Sequence, residues 1–255
     1  MAEIVSTSVY RYLLGRMEQV HRGAFIGAFA GPPGLGKTTA AKRFVAAHPM
    51  DAAIVTVRLP EAKPVFVLQE LLAAARRGAG EPYTNHPTGK RELMSALRGS
   101  INEWGWRRRA DAAPLTVVFD EAQNLTPEAI EALRFWNDRT DDEEQPLGLI
   151  FLGNSQFRLE TEDRSASFLS DAVLSRTPFL KTFAYRDLRD DDLTLIIEAR
   201  GIVDPAAVDL ILHHCRTRRL GRDLRGLNRD LEALTEMAAG APVTATTVRS
   251  RFGIA

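Results

Sequence analysis

Ala24-Phe25-Ile26-Gly27-Ala28-Phe29-Ala30 runs straight into Gly31-Pro32-Pro33-Gly34-Leu35-Gly36-Lys37-Thr38-Thr39. The first seven residues are an almost continuous apolar run, the pattern of a strand buried on both faces. Gly-Pro-Pro-Gly ends it in a tight loop, and residues 37–47 then read as a helix with Pro49 marking its exit. The junction therefore satisfies G-x-x-x-x-G-K-[ST] in the context that string requires, after a buried strand and at the start of a helix. Glycines let the backbone wrap closely enough for several N–H groups to face one cluster of phosphate oxygens, and the helix N-terminus adds positive potential. Residues Gly31, Pro32, Pro33, Gly34, Leu35, Gly36 and Lys37 are expected to cradle a nucleoside triphosphate, with Lys37 reaching its β and γ phosphates. Thr38 can give its hydroxyl to Mg²⁺, and Thr39 continues the helix start near the α phosphate.

Outward from that loop, strand and helix take turns. A leading helix is predicted over 7–20, strands over 53–57, 114–119, 147–152 and 179–185, and helices over 65–77, 89–104 and 127–139, the last opening with proline in its first turn. Strands separated by helices imply an α/β fold with a five-stranded parallel sheet flanked by helices. After Tyr185 the strand signal stops, and 190–199, 205–217, 223–238 and 244–252 read as helices. The expected organisation is an α/β core over 1–185 and a small all-helical lid over 186–255. The acidic stretch Asp187-Leu188-Arg189-Asp190-Asp191-Asp192 fits either a solvated hinge or a helix start.

Val117-Val118-Phe119-Asp120-Glu121 supplies the partner of the phosphate loop, an apolar strand ending in two carboxylates. In a parallel sheet it ends on the edge where the loop opens. Asp120 is expected to hold Mg²⁺, and Glu121 to orient a water for attack on the γ phosphate. The next strand ends at Gly153-Asn154, which makes Asn154 the sensor candidate, because an amide can bond both water and phosphate oxygen without adding charge.

Composition narrows the rest. In 255 residues, 45% are hydrophobic and 26% charged, which rules out disordered, collagen-like and coiled-coil chains. Lys plus Arg, 33, equal Asp plus Glu, 33, so nucleic acid held by bulk charge alone is not expected, and a basic surface would be a local patch or a groove of the oligomer. The single cysteine, Cys215, forbids an intrachain disulfide framework and reads as a small buried hydrophobe. His48, His86, His213 and His214 show no metal-ligand spacing with carboxylates or thiols, so no structural zinc is expected. The start of the chain lacks a secretory pattern and no apolar stretch reaches the ~20 residues of a membrane span. A cytoplasmic protein with no membrane partner is expected.

With the phosphate loop, Asp120-Glu121 and Asn154 on successive strands and helices after them, the chain resembles the AAA+ ATPases over nearly its whole length. That resemblance implies Mg-dependent ATP hydrolysis stimulated by assembly of a homo-oligomer, either a ring or a helical filament. It further implies an arginine finger acting in a neighbouring subunit, for which Arg176 in Leu174-Ser175-Arg176 is the match, with no evident use within its own chain. A lid arginine sensing the γ phosphate matches Arg225 in Gly221-Arg222-Asp223-Leu224-Arg225, with Arg222 the other choice. Within the superfamily, residues 120–125, 132–140 and 149–154 are similar to the helper ATPases of DNA transposition, the phage Mu B type. This similarity implies assembly on duplex DNA and selection or delivery of target DNA to a transposase. The same Asp-Glu-Ala-Gln also looks like secretion-associated ATPases, which implies a partner-recruiting switch without DNA; a replication helicase loader is a further alternative. For DNA phosphates the candidates are Arg107, Arg108 and Arg109 beside Trp104 and Trp106, then Lys90 and Arg91, and Lys63.

Overall fold

Five strands, β1 (Ile26–Ala30), β2 (Ala52–Thr56), β3 (Thr116–Asp120), β4 (Gly148–Gly153) and β5 (Phe179–Thr182), form one sheet in the order β2-β3-β4-β1-β5. Every pairing is parallel, with Val55 opposite Phe119, Phe119 opposite Phe151, and Phe151 opposite Ala28. The computed structural model describes residues 4–82, 87, 89–107, 114–138, 146–159, 169–217 and 222–253. Strands β1, β3 and β4 are buried at every position, as continuous apolar runs require, whereas β5 at the edge is half-buried to exposed.

The helices that follow are α1 (Ser8–Gly23), α2 (Lys37–Ala47), α3 (Pro64–Ala79), α4 (Lys90–Trp106), α5 (Pro127–Arg134) and α6 (Asp171–Leu174). Helix α5 stops short of the predicted 127–139. Its last residues tighten into turns closed by Trp136 N–H to Leu133 and Asn137 N–H to Arg134, while the Asn137 amide donates to the carbonyls of Ala24 and Leu147. Those two bonds draw the chain to the start of β4 and end the helix. Helix α6, which the apolar pattern is too short to reveal, is capped by Ser170 accepting from Val173 N–H at 3.2 Å. Strand β5 ends before 185 because Tyr185–Asp187 form a 3-10 turn.

Two compact units divide the chain. One comprises Leu13–Gly31 and Thr38–Phe183, the other Met1–Tyr12, Pro32–Lys37 and Ala184–Ala255. The sheet unit buries Phe119 stacked on Phe151, ring centroids 5.6 Å apart, and Trp104, whose indole N–H donates to the Met50 carbonyl at 2.7 Å. The helical unit contains α7 (Asp190–Glu198), α8 (Pro205–Thr217), α9 (Leu224–Met237) and α10 (Ala245–Phe252). Leu193, Ile196 and Ile197 on α7, and Leu227, Leu231 and Leu234 on α9, follow helical spacing and meet in its core. Cys215 is buried there. Of the two readings of the acidic stretch, the helix start holds: Asp192 is buried in the first turn of α7 and accepts from the backbone N–H of Ser8 at 2.6 Å and of Arg189 at 2.9 Å. No helix among the described residues is long and apolar enough to cross a membrane.

Candidate functional site

The chain leaves β1 at Ala30, passes through Gly31 and enters α2 at Lys37. Gly34 (φ 78°) and Gly36 (φ 87°) take left-handed conformations that side chains resist, and these let the loop fold back on itself. Lys37 Nζ donates to the Pro32 carbonyl at 2.8 Å, across its own loop. Within the same unit the loop is gripped from outside. The Tyr185 hydroxyl donates to the Pro33 carbonyl at 3.2 Å, and Leu224 N–H, at the start of α9, donates to the Gly34 carbonyl at 3.0 Å. A Cβ on Gly34 would lie 1.5 Å from Asp223 Oδ1, so the absence of a side chain permits this approach. Burial pushes the Tyr185 hydroxyl above its ordinary value, the Asp223 charge adds to the shift, and Arg225 opposes it.

In the sheet unit, β3 ends at Asp120, which is 4% exposed. Its Oδ2 accepts from the Thr38 hydroxyl at 2.9 Å and its Oδ1 from Glu121 N–H at 3.1 Å. Glu121 has already left the strand and sits in the left-handed region at φ 61°. Its carboxylate accepts from Gln123 Nε2 at 2.6 Å, and Gln123 Oε1 in turn accepts from Asn154 N–H at 3.0 Å. Gln123 thus ties the second acid to the end of the neighbouring strand. The sequence shows Gln123 inside the Asp-Glu-Ala-Gln stretch but gives no sign of this bridge, which depends on β3 and β4 being adjacent. The Asn154 side chain closes its own turn, with Oδ1 accepting from Gln156 N–H at 2.7 Å.

Thr38 and Asp120 present two hard oxygen donors 2.9 Å apart. Adjacent ligands of an octahedral Mg²⁺ at 2.0–2.1 Å are themselves separated by about 2.9 Å, so the spacing of this pair suits that ion once the Thr38 hydroxyl proton turns away from Asp120. The family model described as AAA domain matches residues 20–159, more than half of the chain. The chain belongs to the AAA domain family.

Solved structures agree on the fold. The Holliday junction branch migration motor RuvB of Thermotoga maritima aligns with a TM-score of 0.56 at 16% identity, over 96% of this chain and 68% of that one. Cdc6p of Pyrobaculum aerophilum aligns with a TM-score of 0.66 at 14% identity, over 98% of this chain and 69% of that one. Drosophila ORC, in a structure bound to DNA, aligns with a TM-score of 0.55 at 15% identity, over 95% of this chain and 59% of that one. No curated protein matches the sequence.

The arginines of this AAA domain protein divide sharply by environment. Arg176, two residues past α6, does have a use in its own chain: its Nε lies 2.6 Å from Asp138 Oδ1 and its Nη1 donates to the Ala172 carbonyl at 3.1 Å. Asp138 also accepts from Arg134, whose Nε pairs with Glu131 at 2.7 Å, and Glu131 accepts from the Ser170 hydroxyl. Burial pushes the Glu131 carboxyl up, but the bonds from Ser170 and Arg134 and the charges of Arg134 and Arg176 outweigh it and hold the group below its ordinary value. In the helical unit Arg222 donates to the Leu188 carbonyl and to Asp190 Oδ1 at 2.8 Å. Arg216 takes the other oxygen of Asp190 at 2.6 and 3.1 Å. Arg225 is exposed in the first turn of α9.

Among the basic candidates Lys63, Lys90, Arg91 and Arg107 are exposed, and Arg107 Nε pairs with Glu103 at 3.1 Å. Arg108 and Arg109 lie outside the described residues. The two tryptophans beside them part company, Trp104 entering the core and Trp106 standing 80% exposed.

Proposed function

We propose that this protein is a Mg-dependent ATPase that assembles on duplex DNA as a ring or filament and selects or delivers target DNA to a transposase. The observation that carries the Mg-ATPase part of this reading is the bond between Thr38 and the buried Asp120, on the sheet edge from which the glycine loop departs. Gly31 to Lys37 hold the phosphates through backbone N–H groups and the Lys37 ammonium, and Thr39 lies near the α phosphate. Thr38 and Asp120 hold the Mg²⁺, which when bound neutralises charge on the phosphate oxygens. Glu121, steadied by Gln123, orients the attacking water and accepts its proton. Asn154 serves as the sensor at the end of β4, Arg225 as the lid arginine that senses the γ phosphate, and Arg176 as the finger donated to the next subunit. Arg222, committed to Asp190 and the Leu188 carbonyl, is the weaker choice of lid arginine.

Two things support DNA as the polymer on which the protein works. RuvB is described as a Holliday junction motor, and the ORC structure is bound to DNA. The exposed cations Lys63, Lys90, Arg91 and Arg107 would meet phosphates without reading sequence, and Trp106 offers a flat apolar face beside Arg107. The test is the rate of ATP hydrolysis against protein concentration, with and without duplex DNA. We expect the rate per chain to climb with concentration and to climb further with DNA, Lys37→Ala to lose nucleotide binding, and Glu121→Gln to bind ATP and remain assembled without turnover. A rate per chain that is independent of concentration and indifferent to DNA would reject the assembly and the DNA role together. Normal turnover in Glu121→Gln would reject the role given to Glu121.

A further inference from the structure

At the edge of the sheet opposite Asp120, where β3 begins, three side chains that no part of the nucleotide chemistry uses converge. His21 lies in the last turn of α1, His48 just beyond α2, and Asp51 in the turn before β2. One ligand atom from each lies within 4.8 Å of the others. His21 is 1% exposed, and the His48 side chain is 23% exposed.

The second ring nitrogen of each imidazole is already directed. His48 Nε2 lies 2.8 Å from Glu18 Oε1, and since an ionised carboxylate only accepts, Nε2 carries the proton and the lone pair of the neutral ring is at Nδ1. His21 Nδ1 lies 2.9 Å from the fully buried Thr116 hydroxyl. The tautomer that donates there keeps its lone pair at Nε2. A ring N–H held by a carboxylate or hydroxyl, which leaves the lone pair of the other nitrogen for a cation, is the arrangement that orients metal-bound imidazoles.

The backbone fixes the three positions as well. His48 N–H donates to Phe44, and the N–H groups of Asp51 and Ala52 both donate to the His48 carbonyl at 3.1 and 2.9 Å. Thr116 N–H donates to the Asp51 carbonyl at 2.9 Å. The Phe44 ring lies 5.6 Å from the His21 ring and 4.9 Å from the His48 ring, shielding one side of the cluster from water.

We propose that His21, His48 and Asp51 form a binding site for a divalent transition metal of the Zn²⁺ class. Two imidazoles and one carboxylate suit Zn²⁺ rather than Mg²⁺, which prefers an all-oxygen octahedron. With ligands at 2.0–2.1 Å, tetrahedral donors stand about 3.4 Å apart, so the cluster closes by about 1.4 Å at most to grip the ion, and water fills the fourth position. The ion would clip the end of α1 and the end of α2 to the entrance of β2. Since α2 begins at Lys37, it would steady the helix whose opposite end carries the phosphate loop. Sequence spacing conceals the site because His21 comes from α1 whereas His48 and Asp51 share the connection between α2 and β2, and the outer partners, Glu18 and Thr116, come from α1 and β3.

The experiment uses the whole chain, stripped with a chelator and then titrated with Co²⁺ alone in excess Mg²⁺. We expect saturation at a single equivalent with the strong visible absorption of tetrahedral Co²⁺, displacement by Zn²⁺, and a rise in the thermal unfolding midpoint on adding Zn²⁺. Glu18→Gln should weaken binding by roughly 10–100-fold through the outer shell, and His48→Gln by more than that. Absence of tetrahedral absorption in the unaltered protein would overturn the proposal without recourse to any variant. Unchanged affinity in His48→Gln would also overturn it, since the ion would then sit elsewhere, as at His213 and His214.

Discussion

Replacing Asp138 with asparagine should release Arg176 and speed ATP turnover. A guanidinium whose Nε is held 2.6 Å from Asp138 Oδ1 has to leave that carboxylate before it can reach a nucleotide on another subunit. The Arg176 side chain is 43% exposed and that of Asp138 23%, so water screens the pair and its worth is at most about 1 kcal/mol. That energy corresponds to a shift of about fivefold in the population of the detached side chain. Arg134 loses a partner in the variant but keeps Glu131 at 2.7 Å, so the surrounding network survives. Phosphate release, measured at protein concentrations that saturate assembly, should therefore rise by up to about fivefold in Asp138→Asn, with the unfolding midpoint almost unchanged. Arg176→Ala should bind ATP normally and lose turnover by roughly 10³-fold, the scale of a missing arginine finger. Mixing Arg176→Ala with Lys37→Ala should restore part of the rate, because the second protein supplies the guanidinium that the first lacks. Slower turnover in Asp138→Asn, or wild-type turnover in Arg176→Ala, would refute the idea that the Asp138 pair holds a trans-acting arginine in reserve.

Gly34→Ala should cost about 1–2 kcal/mol for a side chain at φ 78° and about 1 kcal/mol more for displacing Asp223 from its cap on Arg225 N–H. Urea unfolding would measure the loss, and a variant as stable as the wild type would show that Asp223 does not press on the loop. Asp190 is held below the usual carboxylate value of 3.8 chiefly by the bond from Arg216, against burial, with the charges of Arg222 and Arg216 assisting. Because the folded value is the lower one, the stabilisation is complete above about 3.8 and disappears as pH falls through the folded value. Asp190→Asn should thus be slightly less stable than wild type at neutral pH, by less than about 1 kcal/mol for so exposed a cluster, and equal to it in strong acid. A gap that persists unchanged into strong acid would mean that the carboxylate charge is not its source.

What could be read from the chain depended on the range of each interaction. The phosphate loop and the strands β1, β3 and β4 are legible because their signals are local: glycine spacing in one case, apolar runs buried at every position in the other. The order β2-β3-β4-β1-β5 is not, since parallel neighbours are joined across long crossovers and the run of residues in β1 carries no mark that it will lie between β4 and β5. The same range hides the contacts around the candidate residues. Gln123 acquires its bridge only when β4 lies beside β3, and Asp138 becomes the partner of Arg176 only when the turn after α5 meets the end of α6.

Glu121 shows the limit most clearly. The apolar run ending in two carboxylates reads as a strand through both, but at φ 61° Glu121 turns the chain out of the sheet in a conformation that costs a non-glycine residue about 1–2 kcal/mol. The turn itself is secured by backbone bonds, Val57 N–H to Asp120 and Asn124 N–H to Glu121, both at 2.9 Å. Glycine would adopt it without strain, so the fold makes no demand for glutamate at this position. A carboxylate kept where the backbone resists a side chain, and gripped by Gln123 at 2.6 Å, is the arrangement that the water-orienting role proposed for Glu121 calls for.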